Sequence, residues 1–423
     1  MFRKNQVIWW PCAVLALAAH SATAAPVAAT TTLKQTFEAA WQRQPEALSQ
    51  QMRLDAAAAQ QQAATRWTAE PVALELSTKT DRLNQSLGRD EMVAGISIPL
   101  WLPGERASTV AVADAQARAT SSRVRAAQLR TAAQVREAYW AWARAHMDHA
   151  LAGELLSHAQ QLAQDVAKRV RAGDLARADQ NQADGALATA EVTLAEATGV
   201  LATAAQRLRA LSGRVPQLSA AGPSGVGGAI GAEPMPVLPA DTATLLVTHP
   251  AVAELQDSAD VAQRSAELAQ VQTRANPELM LATSRDRGQL DEAYQHSITL
   301  GIRFPLGSSS RNQAKRASAQ ADAMEAETNV RLERERLQGD VEVARVGLVS
   351  AQTQRDAAQR RAVLARESRV FFQKSFQMGE TDLPTRLRME REAMDAERQA
   401  ARAGIDLAAA QSALRQTLGL LPE

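Results

Sequence analysis

Chemistry needs polar groups at set spacings, and this chain offers few. His146 and His149 stand three residues apart in a helix-like run, with His158 further along. Positions three apart share a helix face, so the pair could give two ligands to a metal ion. Zinc sites take three or four, so packing or solvent contact is the reading, and no metal site is expected. No glycine-rich phosphate loop, nucleophile–base arrangement or paired carboxylates stand out; neither an enzyme nor a bound cofactor is expected. Glu333, Glu335 and Glu342 interleave with arginines, the pattern of a solvated helix face. The polar residues that do recur surround two glycines, in RVRAGDLARADQNQA (169–183) and KSFQMGETDLPTRLR (374–388). Gly173 suits a helix C′ position and Asp174 an N-cap that restarts the chain. Gly379 stops the second run, Thr381 or Asp382 can cap the next helix, and Pro384 fits its first turn. Each break reads as a tight helical hairpin, which turns the chain and offers a place for a gate or a docking surface.

The elements that carry these breaks come in two matching sets. Pro99 and Pro305 stand 206 positions apart, and so do Pro71 and Pro277, Gly173 and Gly379, Gly213 and Gly419, and Pro216 and Pro422. Only Pro45 and Pro250 slip, by one. Glycine and proline are fixed by backbone geometry, so a shared offset argues for an internal duplication with two large repeats. The repeats are read as 25–213 and 241–423, joined by a Pro/Gly-rich linker over 214–240. Each begins with a helical stretch, about Thr32 to Glu70 and Asp241 to Ala275, ended by Pro71 and Pro277. Two strand-like runs follow, about 72–78 and 92–98 in the first repeat and 278–284 and 297–304 in the second. Ile298, Leu300, Ile302 and Phe304 alternate with Ser297, Thr299, Gly301 and Arg303, and Met92, Ala94, Ile96 and Ile98 match them. That period marks half-buried strands. Four short strands cannot close a barrel alone, and an open sheet leaves exposed edges. Helical runs of roughly 65 residues come next, rods of about 100 Å that need lateral neighbours.

Composition agrees with long helices. The 423 residues carry a net charge of +1, which argues against nucleic acid as a partner, and only 4% aromatics against abundant alanine. Arg3 and Lys4, the apolar stretch Val7 to Ala19, and Ala22-Thr23-Ala24 read as a signal peptide over 1–24 cut after Ala24. The single cysteine, Cys12, lies within it, so no disulfide is expected in the mature chain. No run of about 18 apolar residues follows, so no transmembrane helix is expected.

The duplicated repeats, the Ile-Pro-Leu and Phe-Pro-Leu joints at Pro99 and Pro305, and the tips Ala-Gly-Asp-Leu and Met-Gly-Glu-Thr-Asp-Leu-Pro together resemble the TolC-like outer-membrane efflux proteins. The tips look most like the heavy-metal branch, the cobalt–zinc–cadmium and copper–silver systems. The resemblance implies a mainly α fold with a small β part. Three chains would each give four strands to one 12-stranded transmembrane barrel, and their helices would form a tube in the periplasm. It implies a homotrimer in the outer membrane of a Gram-negative bacterium, with outer-membrane lipid, a periplasmic adaptor and an inner-membrane RND pump as partners. Gly173, Asp174, Asp179, Gly379, Glu380 and Asp382 would then form the gating and docking tips. Thr385 and Arg388 stand where the family often has aspartate. Pro71, Pro99, Pro277 and Pro305 would mark the barrel-to-helix joints, and Trp67 and Trp101 would sit at the membrane interface.

The function this implies is a passive export duct, first for heavy-metal cations, with drug or solvent efflux or type I protein secretion as alternatives. A periplasmic coiled-coil scaffold or adaptor is the alternative from another class. It explains the leader and the helices but not four alternating strands at matching positions.

Overall fold

The computed structural model describes residues 32–83, 87–216, 232–237, 247–306 and 309–423. The expected leader with Cys12 lies outside them, as do 217–231 and 238–240 of the linker and the first residues of the second repeat, 241–246.

The chain opens with helix α1, Leu33–Trp41, started by a reciprocal cap. The Thr32 hydroxyl accepts from the Gln35 amide, and the Gln35 side chain returns to the Thr32 amide, both at 3.3 Å. Helix α2, Pro45–Ala64, follows after a turn. The single helix expected from Thr32 to Glu70 is therefore two. Proline excludes helical geometry from the residue before it, and Gln44 is extended with ψ 140°. Nor do the prolines at 71 and 277 end the helices. α2 stops at Ala64, and its counterpart α5, Pro250–Val271, stops at Val271. The residues in between build the joint to the sheet.

Four strands form one antiparallel sheet in the order β1 (Ala73–Thr80), β2 (Asp90–Pro99), β3 (Glu278–Arg287), β4 (Gln295–Arg303). The repeats meet at its centre, where Ile96 opposes Leu281 and Pro99 opposes Glu278. The register puts Leu74, Leu76, Met92, Ile96, Leu281, Ile298, Leu300 and Ile302 on one face. All eight are exposed. The opposite face carries Glu75, Lys79, Glu91, Ser97, Glu278, Ser284 and Asp286, and along β2 and β3 it is the more sheltered one. The half-buried strands expected from the alternation are thus turned about: the apolar face is the exposed one and the polar face the more sheltered. Gly95 permits a close approach on the sheltered face, since a Cβ there would lie 3.0 Å from the Ala282 Cβ. β1 and β4 are edges.

The long helices are α3, Glu105–Ala172, and α6, Ser309–Gln377, of 68 and 69 residues. At about 1.5 Å per residue each is about 100 Å long. Each folds back on a shorter helix, α4 (Arg177–Ser212) and α7 (Leu383–Thr417). A core midway along α3 gathers Val135, Tyr139, Trp140 and Trp142 with Leu33 and Phe37 of α1, Leu208 of α4 and Ile405 of α7. The aromatic run thus serves helix packing, and alanines 132, 143 and 408 let the backbones approach.

Candidate functional site

The two hairpin tips are built alike at their first turn and differently at their second. Gly173 and Gly379 have φ of +88° and +80° and end α3 and α6. The amide of Asp174 reaches the Arg169 carbonyl at 2.9 Å, and that of Glu380 reaches Ser375 at 3.0 Å. Both are the six-to-one bonds of a left-handed helix stop. Asp174 does not cap the next helix as expected; Ala176 holds that position. Alanine has no acceptor, so Asp179 reaches back from the third helical position and takes the Ala176 amide at 3.0 Å. In the second tip the equivalent position is Asp382, whose carboxylate accepts from the Thr385 amide at 3.2 Å. Of the two candidates there, Asp382 caps. Thr381 instead bonds the Ser375 hydroxyl at 2.5 Å. The Thr385 hydrogen bond holds the Asp382 carboxyl below its ordinary pKa. Glu380 lies in the exposed turn between α6 and α7.

Behind the tips the two hairpins share a core. Leu162, Val166 and Ala183 from one pack on Phe376, Leu383 and Leu387 from the other. The Phe376 ring lies within 5.0 Å of the Arg169 guanidinium and 4.8 Å of the Arg386 guanidinium, both within reach of a cation–π attraction. Above this core His158 of α3 meets Glu390 of α7 at 3.2 Å. Arg369 of α6 lies 3.7 Å from Glu390 and 3.5 Å from Glu397. The hydrogen bond to Glu390 raises the His158 pKa. Burial opposes ionisation of Glu390, yet the His158 hydrogen bond and the neighbouring arginines hold its pKa below the ordinary value. His158, Arg369 and Glu390 line a cleft of about 600 Å³ between the hairpins. No local pattern marks this bridge, because His158 stands 232 positions from Glu390.

The other histidines do separate things. His146 lies against Trp142, with ring centroids 5.7 Å apart, and burial lowers its pKa, with His149 adding to the effect. Among the described residues, no three metal-ligating side chains gather.

At the joint the four prolines flank the sheet: Pro99 closes β2, Pro277 precedes β3, and Pro71 and Pro305 stand just outside β1 and β4. The Leu100 amide donates to the Pro277 carbonyl at 2.7 Å. Trp101 donates its indole N–H to the Arg66 carbonyl at 3.2 Å, and the next residue, Trp67, is 91% exposed. Glu105, buried at the start of α3, accepts from the Leu102 amide at 3.0 Å, Gln272 at 2.8 Å and Asn276 at 2.7 Å. One carboxylate thus ties both repeats to the base of the sheet. A second buried carboxylate fixes the linker. Glu233 takes a two-pronged contact from Arg136 of α3, at 2.7 and 3.0 Å, and lies 3.3 Å from Arg415 of α7. Neither carboxylate was foreseen; a lone acidic residue carries no mark of its partners in the sequence.

The comparisons fit this geometry. Residues 37–214 match the outer membrane efflux protein family. A curated relative, the cobalt-zinc-cadmium resistance protein CzcC of Cupriavidus metallidurans, is 30% identical over 232 residues. That match takes in 54% of this chain and 53% of CzcC, so the chain spans about half the length of that relative. Among solved structures, CusC superposes with a TM-score of 0.77 at 18% identity, over 93% of each chain. The Campylobacter jejuni CmeC outer membrane channel does so at 0.72 and 15%, over 92% of this chain and 85% of CmeC. The open-state Neisseria gonorrhoeae MtrE outer membrane channel gives 0.69 and 17%, over 92% and 89%. The matched segment covers the first repeat, and paired positive-φ glycines at 173 and 379, and at 213 and 419, carry its backbone plan into the second. By sequence, the first repeat is similar to the outer membrane efflux protein family, and nearly the whole chain shares the fold of the solved outer membrane channels.

Proposed function

We propose that three copies of this chain form a passive duct that crosses the outer membrane and extends into the periplasm. The observation that carries the reading is the sheet. Its apolar face is outward and uncovered, its polar face is inward, and its two edges lack partners in one chain. Closing a barrel removes edges, and a membrane barrel alternates apolar-out with polar-in. Twelve strands from three copies meet both demands. Leu332, Val343, Val346, Val349, Leu364 and Phe371 lie exposed along α6, and neighbouring copies would cover them. Trp67 and Trp101 would lie at the membrane interface, at the depth favoured by aromatic residues.

On this reading the tips around Gly173, Asp174, Asp179, Gly379, Glu380 and Asp382 meet a periplasmic adaptor and open when it docks, while an inner-membrane RND pump supplies the energy. Heavy-metal cations are the proposed cargo, on the strength of the likeness to the cobalt-zinc-cadmium resistance protein CzcC. The test is growth of a deletion strain across zinc, cobalt, cadmium, copper and silver beside a panel of drugs and detergents, with complementation. Metal-only sensitivity is expected. Drug-only sensitivity would keep the duct and move its cargo to organic molecules. A protein recovered in the soluble periplasmic fraction without detergent would instead mark a scaffold.

A further inference from the structure

The outer end of the sheet carries a group of side chains that the duct itself does not use. Arg285 and Arg287 of β3 lie on the apolar, outward face, in register with Met92 and Asp90. Tyr294, just before β4, stands between them. The Arg285 guanidinium lies 3.9 Å from its ring centroid and that of Arg287 4.8 Å. The Tyr294 hydroxyl donates to Asp90 at 3.2 Å, which engages the carboxylate that faces Arg287 across the register. Glu91 and Asp286 belong to the opposite face. Arg287 donates its Nε to the Gly88 carbonyl at 3.1 Å. Arg285 has its ring contact and no acceptor for its five side-chain N–H donors among the described residues.

Height places the group. β3 has ten residues; at about 3.3 Å each and a tilt of about 40°, it spans about 25 Å. That is the height of the apolar band of a membrane barrel. Glu278 begins at the helical joint, so Arg285 and Arg287 reach the far boundary of the hydrocarbon layer, on central strands away from the edges where copies would meet. An unpaired guanidinium at that depth needs an anion. Its planar fork matches phosphate oxygens, and stacking on tyrosine holds the fork edge-on to a ligand.

We propose that Arg285 and Arg287, spaced by Tyr294, bind a phosphate on the headgroup of an outer-leaflet lipid, so that each chain is anchored at its outer rim. This rests on the barrel reading. The test uses the full-length trimer in detergent, with diphosphoryl lipid A as probe and affinity read by native mass spectrometry. The Arg285→Gln variant is preferred, because Arg285 makes no hydrogen bond that the fold needs; R285Q/R287Q follows. At least tenfold weaker binding is expected in R285Q, and wild type should lose a similar factor when both phosphates are removed from the lipid. Lys79→Gln, on the inward face, should bind as wild type does. Equal affinity of wild type and R285Q overturns the site. Full displacement of the lipid by equimolar inorganic phosphate overturns the lipid as its ligand. Insertion into liposomes is scored alongside: failure of the wild-type protein to insert strikes the barrel, whereas normal insertion with unchanged lipid affinity strikes the rim site alone.

Discussion

Gly173 and Gly379 show what a single residue contributes at the tips. A Cβ at either would meet nothing within 4 Å, so space does not restrict these positions; the positive φ does. A non-glycine residue in that region costs roughly 1–2 kcal/mol, and a β-branched one clashes most. Gly173→Val and Gly379→Val should therefore leave assembly intact, since the shared core behind the tips is untouched, and reduce export. Trimer mass in detergent and metal tolerance of complemented cells check both halves of that statement; normal tolerance would remove the tips from gating. Glu233 lies at the other extreme, fully buried between Arg136 and Arg415. Removing one partner of a buried ion pair typically costs about 3–5 kcal/mol. Glu233→Ala should lower the thermal midpoint clearly, and a change within about a degree would show that the linker contributes nothing to the bundle.

Between elements, the bridge of His158, Glu390 and Arg369 makes the contact of the two hairpins depend on pH. The His158 pKa is raised, so its contribution is complete below about 6.5 and is lost as pH climbs through the raised value. The Glu390 pKa is lowered, so its contribution is present above the ordinary carboxylate range and is lost as pH falls through the lowered value. The bridge is whole between these limits and weaker on both sides. His158→Gln should abolish the alkaline limb and leave the acidic one. Protease cleavage at the tips from about pH 2.5 to about 9, with an acid-active protease at the low end, reads both limbs, and an unchanged profile in the variant would rule the histidine out. In the sheet, Leu300 stands mid-strand on the outward face. Leu300→Arg should cost about 2–4 kcal/mol of membrane insertion, visible as a smaller membrane-inserted fraction. Thr299→Arg, inward, should insert normally.

At the scale of the molecule, the duplication was legible because prolines and glycines report backbone demands without reference to partners. The glycine pairs at 173 and 379, and at 213 and 419, all adopt the left-handed region, as a repeated backbone plan requires. The long helices and the strands lie within a few residues of the bounds their period suggested, whereas the first helical stretch is broken in two and ends early. What period cannot carry is the medium against which a face is buried. The alternation in β4 marks one apolar face, yet the same alternation fits a water-soluble sheet, and only the exposure of this face beside the shelter of the other shows that it turns outward. Nor does period name partners: Glu105, Glu233 and Glu390 find theirs across repeats, and each looked like any surface acid. The cap at Asp174 failed for a local reason, since the chain needs two more residues of turn before α4 can begin and Asp179 can hold its first amide from within.

The open sheet has a bearing on biogenesis. A newly made copy carries two bare strand edges and a greasy outer surface, the combination most prone to pair with the wrong strand. On the proposed three-copy barrel, its vulnerable period is the interval before two more copies arrive, and that interval shortens as synthesis speeds up. The yield of inserted protein should then climb more steeply than in proportion to the amount made at low expression. A chaperone that shields strands from misassociation would matter most when the chain is scarce.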